Sequence, residues 1–256
     1  MAWAKKLNPD IAKMRRKRFR QLLFNRFHVE RGLRILPNIF TLGNAFFGFG
    51  SIVATAYGEF VTAAYFILLG ALMDMLDGRI ARYTKMTSDL GVQLDSLSDS
   101  ISFCLAPALL VYFWRLRFIG DVGLLVSAFF LLCGVVRLAR FNITHGQQGV
   151  FFKGMPTTIA GCFLATLVIN GKVAGIVSHG FLFVLVFVTL LLAVLMVSAV
   201  PFPTFKKLSP NSYALFLTGL LAALIAFGLT KVLFILFMLY FLLVLVALVK
   251  NKLSKS

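Results

Sequence analysis

Cysteine and histidine are scarce in this 256-residue sequence, which contains three of each. The positions are Cys104, Cys133 and Cys162, and His28, His145 and His179. Their spacings match no zinc-binding or dithiol redox pattern. The sequence therefore argues against a zinc or redox centre. The cysteines all fall within apolar runs, and we interpret them as small apolar filling residues.

Acidic residues are also few, nine against 26 Lys and Arg, whereas 60% of the chain is hydrophobic and 28 residues are Phe. Soluble domains are only about half apolar, so this composition predicts an integral membrane protein. The apolar runs approach the roughly 20 residues that cross a bilayer as a helix, and they exceed the roughly ten-residue strands of membrane barrels. We therefore predict an all-α polytopic transmembrane bundle of about eight spans. The runs lie at 39–57, 60–82, 92–114, 118–139, 156–176, 179–200, 212–229 and 232–249.

The basic residues predict how these spans are oriented. If the N-terminus is cytoplasmic, most Lys and Arg fall at cytoplasmic ends, and Arg115 and Arg117 are a local exception. Both termini and the active site are then expected on the cytoplasmic side of the cell's inner membrane.

The charge also divides the chain into a basic segment, 1–36, and a membrane domain, 37–256. We expect the basic segment to remain attached, because no small-residue cleavage site follows the first span. It is expected to lie on anionic lipid head groups. Nucleic-acid binding is the competing interpretation of such a run, and the attached membrane domain disfavours it.

Five of the nine acidic residues lie within one stretch, DMLDGRIARYTKMTSDLGVQLDSLSD, at 74–99. A carboxylate at membrane depth is costly unless it is paired, solvated or bound to a cation. Helical spacing places two sets of residues on single faces: Asp74, Asp77, Gly78, Ala81 and Arg82 in the second span, and Gly91, Asp95 and Asp99 in the third. The short link between the spans predicts antiparallel neighbours whose acidic stripes face each other.

Four converging carboxylates would repel one another unless divalent cations neutralised them. Oxygen ligation without His or Cys favours Mg²⁺ or Mn²⁺, and a pair of such ions can bridge phosphate oxygens. Small residues beside the carboxylates leave room for a phosphate-bearing ligand. Structural salt bridges to Arg79, Arg82 and Arg137 are one alternative, but they leave those small residues unexplained. An ion or proton pathway in a carrier is another, although its site would be expected nearer the midplane.

The same stretch fills every fixed position of D-x2-D-G-x2-A-R-x8-G-x3-D-x3-D and so resembles the signature of the CDP-alcohol phosphatidyltransferases. The resemblance implies transfer of a phosphatidyl group from a CDP-activated lipid to an alcohol, with release of CMP, at a centre of two metal ions. It implies that Asp74, Asp77 and Asp95 are metal ligands, and that Asp99 is both a ligand and the general base. Gly78, Ala81 and Gly91 resemble positions that pack against the cytidine nucleotide, and Arg82 resembles the residue that contacts its phosphates. Asp89 is not a fixed position, and we interpret it as a solvated loop charge.

Other segments resemble the phosphatidylserine synthase branch of that family: PNIFTLGN at 37–44, SDSISFCLAPALL at 98–110, RLARFN at 137–142 and FFKGMPTT at 151–158. Serine is therefore the expected acceptor and CDP-diacylglycerol the expected donor. Arg137 and Arg140 share a helix face, where one of them, with Asn142 or Lys153, can hold the serine carboxylate. The pair can instead hold lipid phosphates or simply anchor the helix.

The resemblance also suggests that the segment containing Asn38, Thr41 and Asn44 borders the nucleotide pocket. A capped helix start and interhelical hydrogen bonds are the competing explanation. Glycerol 3-phosphate and inositol phosphate remain possible acceptors within the same family. The family is associated with homodimers, and GNAFFGFG in the first span offers a close-packing surface for a second copy.

Overall fold

A computed structural model describes residues 38–84, 89–144, 154–173 and 179–198, with a few single positions between 231 and 239. Within these ranges the chain is helical and contains no β-strand. The helices are α1 (Asn38–Ala56), α2 (Phe60–Thr84), α3 (Asp89–Asp99), α4 (Ala106–Trp114), α5 (Asp121–Thr144), α6 (Thr157–Val173) and α7 (His179–Val197). A π-helical segment, Ser100–Leu105, joins α3 to α4, and a 3₁₀ turn, Leu116–Ile119, precedes α5.

Each of the first six predicted spans, from the one at 39–57 through the one at 179–200, coincides with helical structure in the described part of the chain. Among the described residues, five helical stretches are long and apolar enough to cross a membrane, whereas α6 is a shorter apolar helix. Large side chains such as Phe46, Phe49, Phe183 and Phe187 are mostly exposed, as expected of a surface that faces lipid. The protein is therefore an all-α integral membrane protein. The basic segment 1–36 and the predicted spans 212–229 and 232–249 lie outside the described residues, apart from those single positions.

A tight turn makes α1 and α2 antiparallel. Gly58 has a φ of 79°, a left-handed conformation that favours glycine. The N–H groups of Gly58 and Glu59 donate to the carbonyls of Thr55 and Ala54 at 3.0 and 2.9 Å. This is the Schellman arrangement that ends many helices. It brings the C-terminal end of α2, which carries the motif, to the same end of the bundle as the start of α1.

The third span widens into the π segment directly after Asp99. The N–H of Ala106 donates to the carbonyl of Ile101, five residues earlier. Pro107 follows, and it has no N–H to donate to the carbonyl of Phe103, with which its ring would clash in a regular α-helix. A wider turn before the proline relieves that clash, and π turns of this kind are frequent near functional sites.

Glycines from three other helices accommodate the wider π segment. A Cβ at Gly48 of α1 would collide with Ser102, one at Gly161 of α6 would lie 2.9 Å from the carbonyl oxygen of Phe103, and one at Gly134 of α5 would lie 2.5 Å from Cys104 Sγ. The absence of side chains at these positions lets the helices approach closely. The π segment is thus enclosed in the interior of the bundle, where Ser102, Phe103 and Cys104 are fully buried.

The C-terminal end of α7 is fastened to the start of α6 and the end of α5. The N–H of Met155 donates to the carbonyl of Leu195 at 3.0 Å, and Arg140 Nη1 donates to the carbonyl of Val197 at 3.1 Å. Gly154 has a φ of 94°, and a Cβ there would collide with a carbonyl at the end of α7. Helix C-termini leave carbonyls without intrahelical donors, so these contacts satisfy groups that would otherwise be unpaired.

Candidate active site

Three carboxylates of the motif converge between α2 and α3. Asp74, Asp95 and Asp99 each offer an oxygen, and these three oxygens lie within 4.8 Å of one another. All three side chains are partly buried. The prediction that the two acidic stripes face each other is therefore confirmed for these residues. Three oxygen ligands at such spacing suit a hard divalent cation such as Mg²⁺ or Mn²⁺.

Asp77 is held slightly differently from the other motif carboxylates. It lies outside the group of three, is only 5% exposed, and its Oδ2 accepts a hydrogen bond of 2.9 Å from Thr41 Oγ1 in α1. It remains near enough to Asp95 and Asp99 to interact with them electrostatically. Its role as a metal ligand remains a prediction.

Open space lies beside these carboxylates. A Cβ built at Gly78 meets no atom within 4 Å among the described residues, as expected of a position that leaves room for a ligand. The backbone of α2 approaches α4 and the π segment more closely than it approaches α3. The carboxylates of α2 and α3 therefore meet although the backbones of the two helices are not closely packed among the described residues.

The remaining predicted nucleotide-binding residues lie at or near this end of the bundle. Asn38 is the first residue of α1, Gly91 lies in the first turn of α3, and Ala81 and Arg82 lie in the last turn of α2. The side chains of Ala81 and Arg82 are outside the described part of the structure, as is that of Asp89. Their predicted roles thus remain predictions.

A stripe of small and polar residues in α1 faces the interior of the bundle. Its members recur at alternating intervals of three and four residues: Thr41, Asn44, Gly48, Ser51 and Thr55. All of these residues are buried. Thr41 contacts Asp77 as described above, and Asn44 Nδ2 donates to Asp99 Oδ1 at 3.2 Å. The sequence reasoning placed these two side chains near the nucleotide but missed their contacts with the carboxylates, although their spacing in an apolar helix was the available signal.

The residues predicted to bind the acceptor have separate partners. Arg137 lies near enough to Asp99 to interact electrostatically, and its Nη1 donates to the buried Thr157 Oγ1 at 3.3 Å. Arg140 is exposed and bonds to the end of α7, as described above. The two arginines thus share a helix, and these hydrogen bonds connect Arg137 to α6 and Arg140 to the end of α7.

Asn142 joins α5 to α3, because its Oδ1 accepts a hydrogen bond of 2.8 Å from Ser96 Oγ. Ser96 directly follows the motif residue Asp95. Lys153 lies outside the described residues. Thr157, which the sequence analysis quoted only as part of FFKGMPTT, therefore joins the candidate acceptor region through its contact with Arg137, and nothing in its spacing indicated that contact.

Comparison with known proteins is consistent with this geometry. The profile of the family described as CDP-alcohol phosphatidyltransferase matches residues 34–199, which include α1 to α7. A CDP-diacylglycerol–serine O-phosphatidyltransferase of Helicobacter pylori is 38% identical over 181 residues, covering 70% of this chain and 76% of that protein. An enzyme of the same name from Bacillus subtilis is 34% identical over 177 residues, covering 68% of this chain and 93% of that protein.

An archaeal relative matches over a similar length. The archaetidylserine synthase of Methanothermobacter thermautotrophicus is 34% identical over 170 residues, which cover 66% of this chain and 69% of that protein. The names of these bacterial and archaeal relatives differ in the lipid and agree on serine.

Proposed function

This chain belongs to the CDP-alcohol phosphatidyltransferase family, and we propose that it transfers the phosphatidyl group of CDP-diacylglycerol to the hydroxyl of L-serine, giving phosphatidylserine and CMP. The observation that carries the choice of serine is the match of two thirds or more of the chain to relatives that are named for serine transfer. The convergence of Asp74, Asp95 and Asp99 supports the family's chemistry at this site.

The residues present fit a pair of divalent cations. Asp74, Asp77, Asp95 and Asp99 would hold them, and the all-oxygen donor set suits Mg²⁺ or Mn²⁺. When bound, such ions neutralise the carboxylates and stabilise charge that develops on the phosphates. Water-filled access from the cytoplasmic side is part of the proposal, because the motif lies at the end of the spans that the basic residues assign to that side.

Asp99 is proposed to accept the proton of the serine hydroxyl. The serine oxygen forms a bond to the phosphorus attached to diacylglycerol, and the bond from that phosphorus to the bridging oxygen of the pyrophosphate breaks. The electron pair leaves with CMP, whose phosphate Arg82 is proposed to hold. Gly78, Ala81 and Gly91 would let the nucleotide approach the helices. A direct displacement of this kind requires no phosphatidyl-enzyme intermediate.

Arg137 is the best-placed candidate for the serine carboxylate. It is near enough to Asp99 to interact with it electrostatically, and its Nη1 donates a hydrogen bond to Thr157 Oγ1. A guanidinium can bind a carboxylate through two parallel hydrogen bonds, which would orient the serine hydroxyl toward the base. Arg140, Asn142 and Lys153 are proposed to complete the acceptor region or to contact lipid phosphates. The enzyme is further proposed to act as a homodimer. The glycines of α1 do not supply the surface for a second copy, because Gly43, Gly48 and Gly50 face Met73, Ser102 and Phe66 of the same chain.

The test is CMP release by purified protein in mixed micelles that contain CDP-diacylglycerol and either Mg²⁺ or Mn²⁺. Serine, glycerol 3-phosphate, inositol phosphate and no acceptor are compared. We expect release to require serine and to be lost in Asp99→Asn, while Asp89→Asn, which changes a carboxylate outside the fixed positions, retains it. Release only with another alcohol would overturn the serine assignment, and metal-dependent transport without CMP release would point to a carrier.

A further inference from the structure

We propose that Asn44 is a positioning residue that orients Asp99 for metal binding and proton transfer. This inference rests on the proposed function, and it begins from the hydrogen bond of 3.2 Å that Asn44 Nδ2 donates to Asp99 Oδ1. Asn44 is fully buried, so water does not compete for that contact. The bond restrains the orientation of the carboxylate and leaves Oδ2, with the second lone pair of Oδ1, available to a metal ion and to the acceptor proton.

Asn44 is itself held in place by the two helices that flank it. Its backbone carbonyl accepts a hydrogen bond of 2.9 Å from Ser102 Oγ in the π segment. On the other side, a Cβ at Gly70 of α2 would lie 2.9 Å from Asn44 Oδ1, so only glycine there leaves the amide its space. Ser102 lies three residues after Asp99, and the π segment thus anchors both the carboxylate and the residue that orients it.

The chemistry of the donor matters as much as its position. An amide is neutral, so it orients the carboxylate and leaves the negative charge that attracts a cation and a proton. A hydrogen bond from an arginine would partly neutralise that charge. Thr41 plays the equivalent part for Asp77 with a neutral hydroxyl. Helix α1 therefore supplies one neutral donor to a carboxylate of α2 and another to a carboxylate of α3. Groups that orient metal ligands in this way affect metal affinity strongly.

The same helix offers matched controls. Ser51 and Thr55 continue the buried stripe of α1, and their hydroxyl oxygens have no hydrogen-bond partner among the described residues. Removing either hydroxyl changes a buried polar group in the same helix without touching the carboxylates. Any effect specific to Asn44 is therefore separable from a general effect of altering α1.

The experiment measures Mn²⁺ binding by electron paramagnetic resonance, together with kcat and KM, for wild type, Asn44→Leu, Asn44→Ala, Gly70→Ala and the control Ser51→Ala. We expect both Asn44 variants to raise the Mn²⁺ dissociation constant by about 10- to 100-fold. We expect kcat to fall at saturating Mn²⁺ with a smaller change in KM for CDP-diacylglycerol, and Gly70→Ala to move affinity in the same direction. Ser51→Ala should remain within about twofold of wild type.

Leucine has the same number and branching of side-chain heavy atoms as asparagine but is bulkier, and the alanine variant provides the measurement if leucine prevents folding. Mn²⁺ affinities of the Asn44 variants within twofold of Ser51→Ala would overturn the proposal, as would a wild-type protein that binds no Mn²⁺. Mn²⁺ binding is measured without acceptor, so the outcome is distinct from that of the serine assignment. If CMP release required another alcohol while the Asn44 variants still lost Mn²⁺ affinity, the positioning role would stand and the choice of serine would fall.

Discussion

Gly134 and Cys104 provide a quantitative test of how tightly the π segment is packed. Both residues are buried, and a methyl group at 134 would lie 2.5 Å from Cys104 Sγ and 3.1 Å from its Cβ. Overpacking of this kind costs about 1–3 kcal/mol. The greater helix propensity of alanine returns about 1 kcal/mol. We therefore expect Gly134→Ala to lower the free energy of unfolding by about 0–2 kcal/mol.

Cys104→Ala should relieve the clash that Gly134→Ala introduces. Cys104→Ala alone removes the sulfur and leaves a small cavity, at a cost of about 1 kcal/mol. In the double variant the methyl of residue 134 occupies the space that the sulfur filled. Its stability is expected within about 0.5 kcal/mol of wild type, so the favourable coupling energy should reach about 1–3 kcal/mol, within the range found for residues in contact.

The assay is equilibrium unfolding by SDS in mixed micelles, followed by circular dichroism, for wild type, the two single variants and the double variant. Gly180→Ala is the control, because a Cβ there meets nothing within 4 Å among the described residues and its effect reports local propensity alone. If the two substitutions were additive within about 0.5 kcal/mol, the side chains would not share space. The described packing of α5 against the π segment would then be refuted.

Three further predictions concern other parts of the molecule. Thr41→Val removes the hydrogen bond to Asp77. When activity is titrated with Mn²⁺, we expect the half-saturating Mn²⁺ concentration to be about tenfold or more above that of wild type. A value unchanged from wild type would mean that the hydroxyl does not orient the carboxylate. Arg137→Lys should raise KM for serine by about 10- to 100-fold with a smaller change in kcat, because lysine cannot form the paired hydrogen bonds of a guanidinium. An effect confined to KM for CDP-diacylglycerol would instead assign Arg137 to the lipid. Gly154→Ala imposes a positive φ on a residue with a side chain and a clash with α7, so its SDS midpoint should fall by more than that of Gly120→Ala. Gly120 also has a positive φ, but a Cβ there meets no atom within 4 Å among the described residues. Equal shifts would show that the contact with α7 contributes nothing.

Helical periodicity was sufficient to predict the core of the site. The intervals of three and four residues between the motif positions fix which side chains share a face, and a short link leaves two helices little choice but to be antiparallel. Asp74, Asp95 and Asp99 meet as those rules require. Apolar run length likewise predicted the helices from α1 to α7, although it treated the third span as one uniform helix.

Other features depend on contacts between distant parts of the chain, which periodicity does not contain. The π segment combines a local cause, Pro107, with glycines from three other helices that admit the wider turn. The contact of Asn44 with Asp99 joins residues 55 positions apart, and that of Arg137 with Thr157 crosses from α5 to α6. Residue spacing within one helix predicts the helix face on which a side chain lies, but it does not predict which residue of a neighbouring helix that side chain contacts.

The π segment also constrains which changes of length this chain can accept. A π turn is equivalent to one extra residue within an α-helix, and one residue corresponds to about 100° of rotation. If 100–105 became a regular α-helix without losing a residue, α3 would turn by that angle relative to α4. Asp95 and Asp99 would then leave the gap that they share with Asp74, with every motif residue still present. We therefore expect natural relatives to vary freely in residue type at lipid-facing positions of this span, and a relative that lacks one residue between Asp99 and Pro107 to have a regular α-helix there.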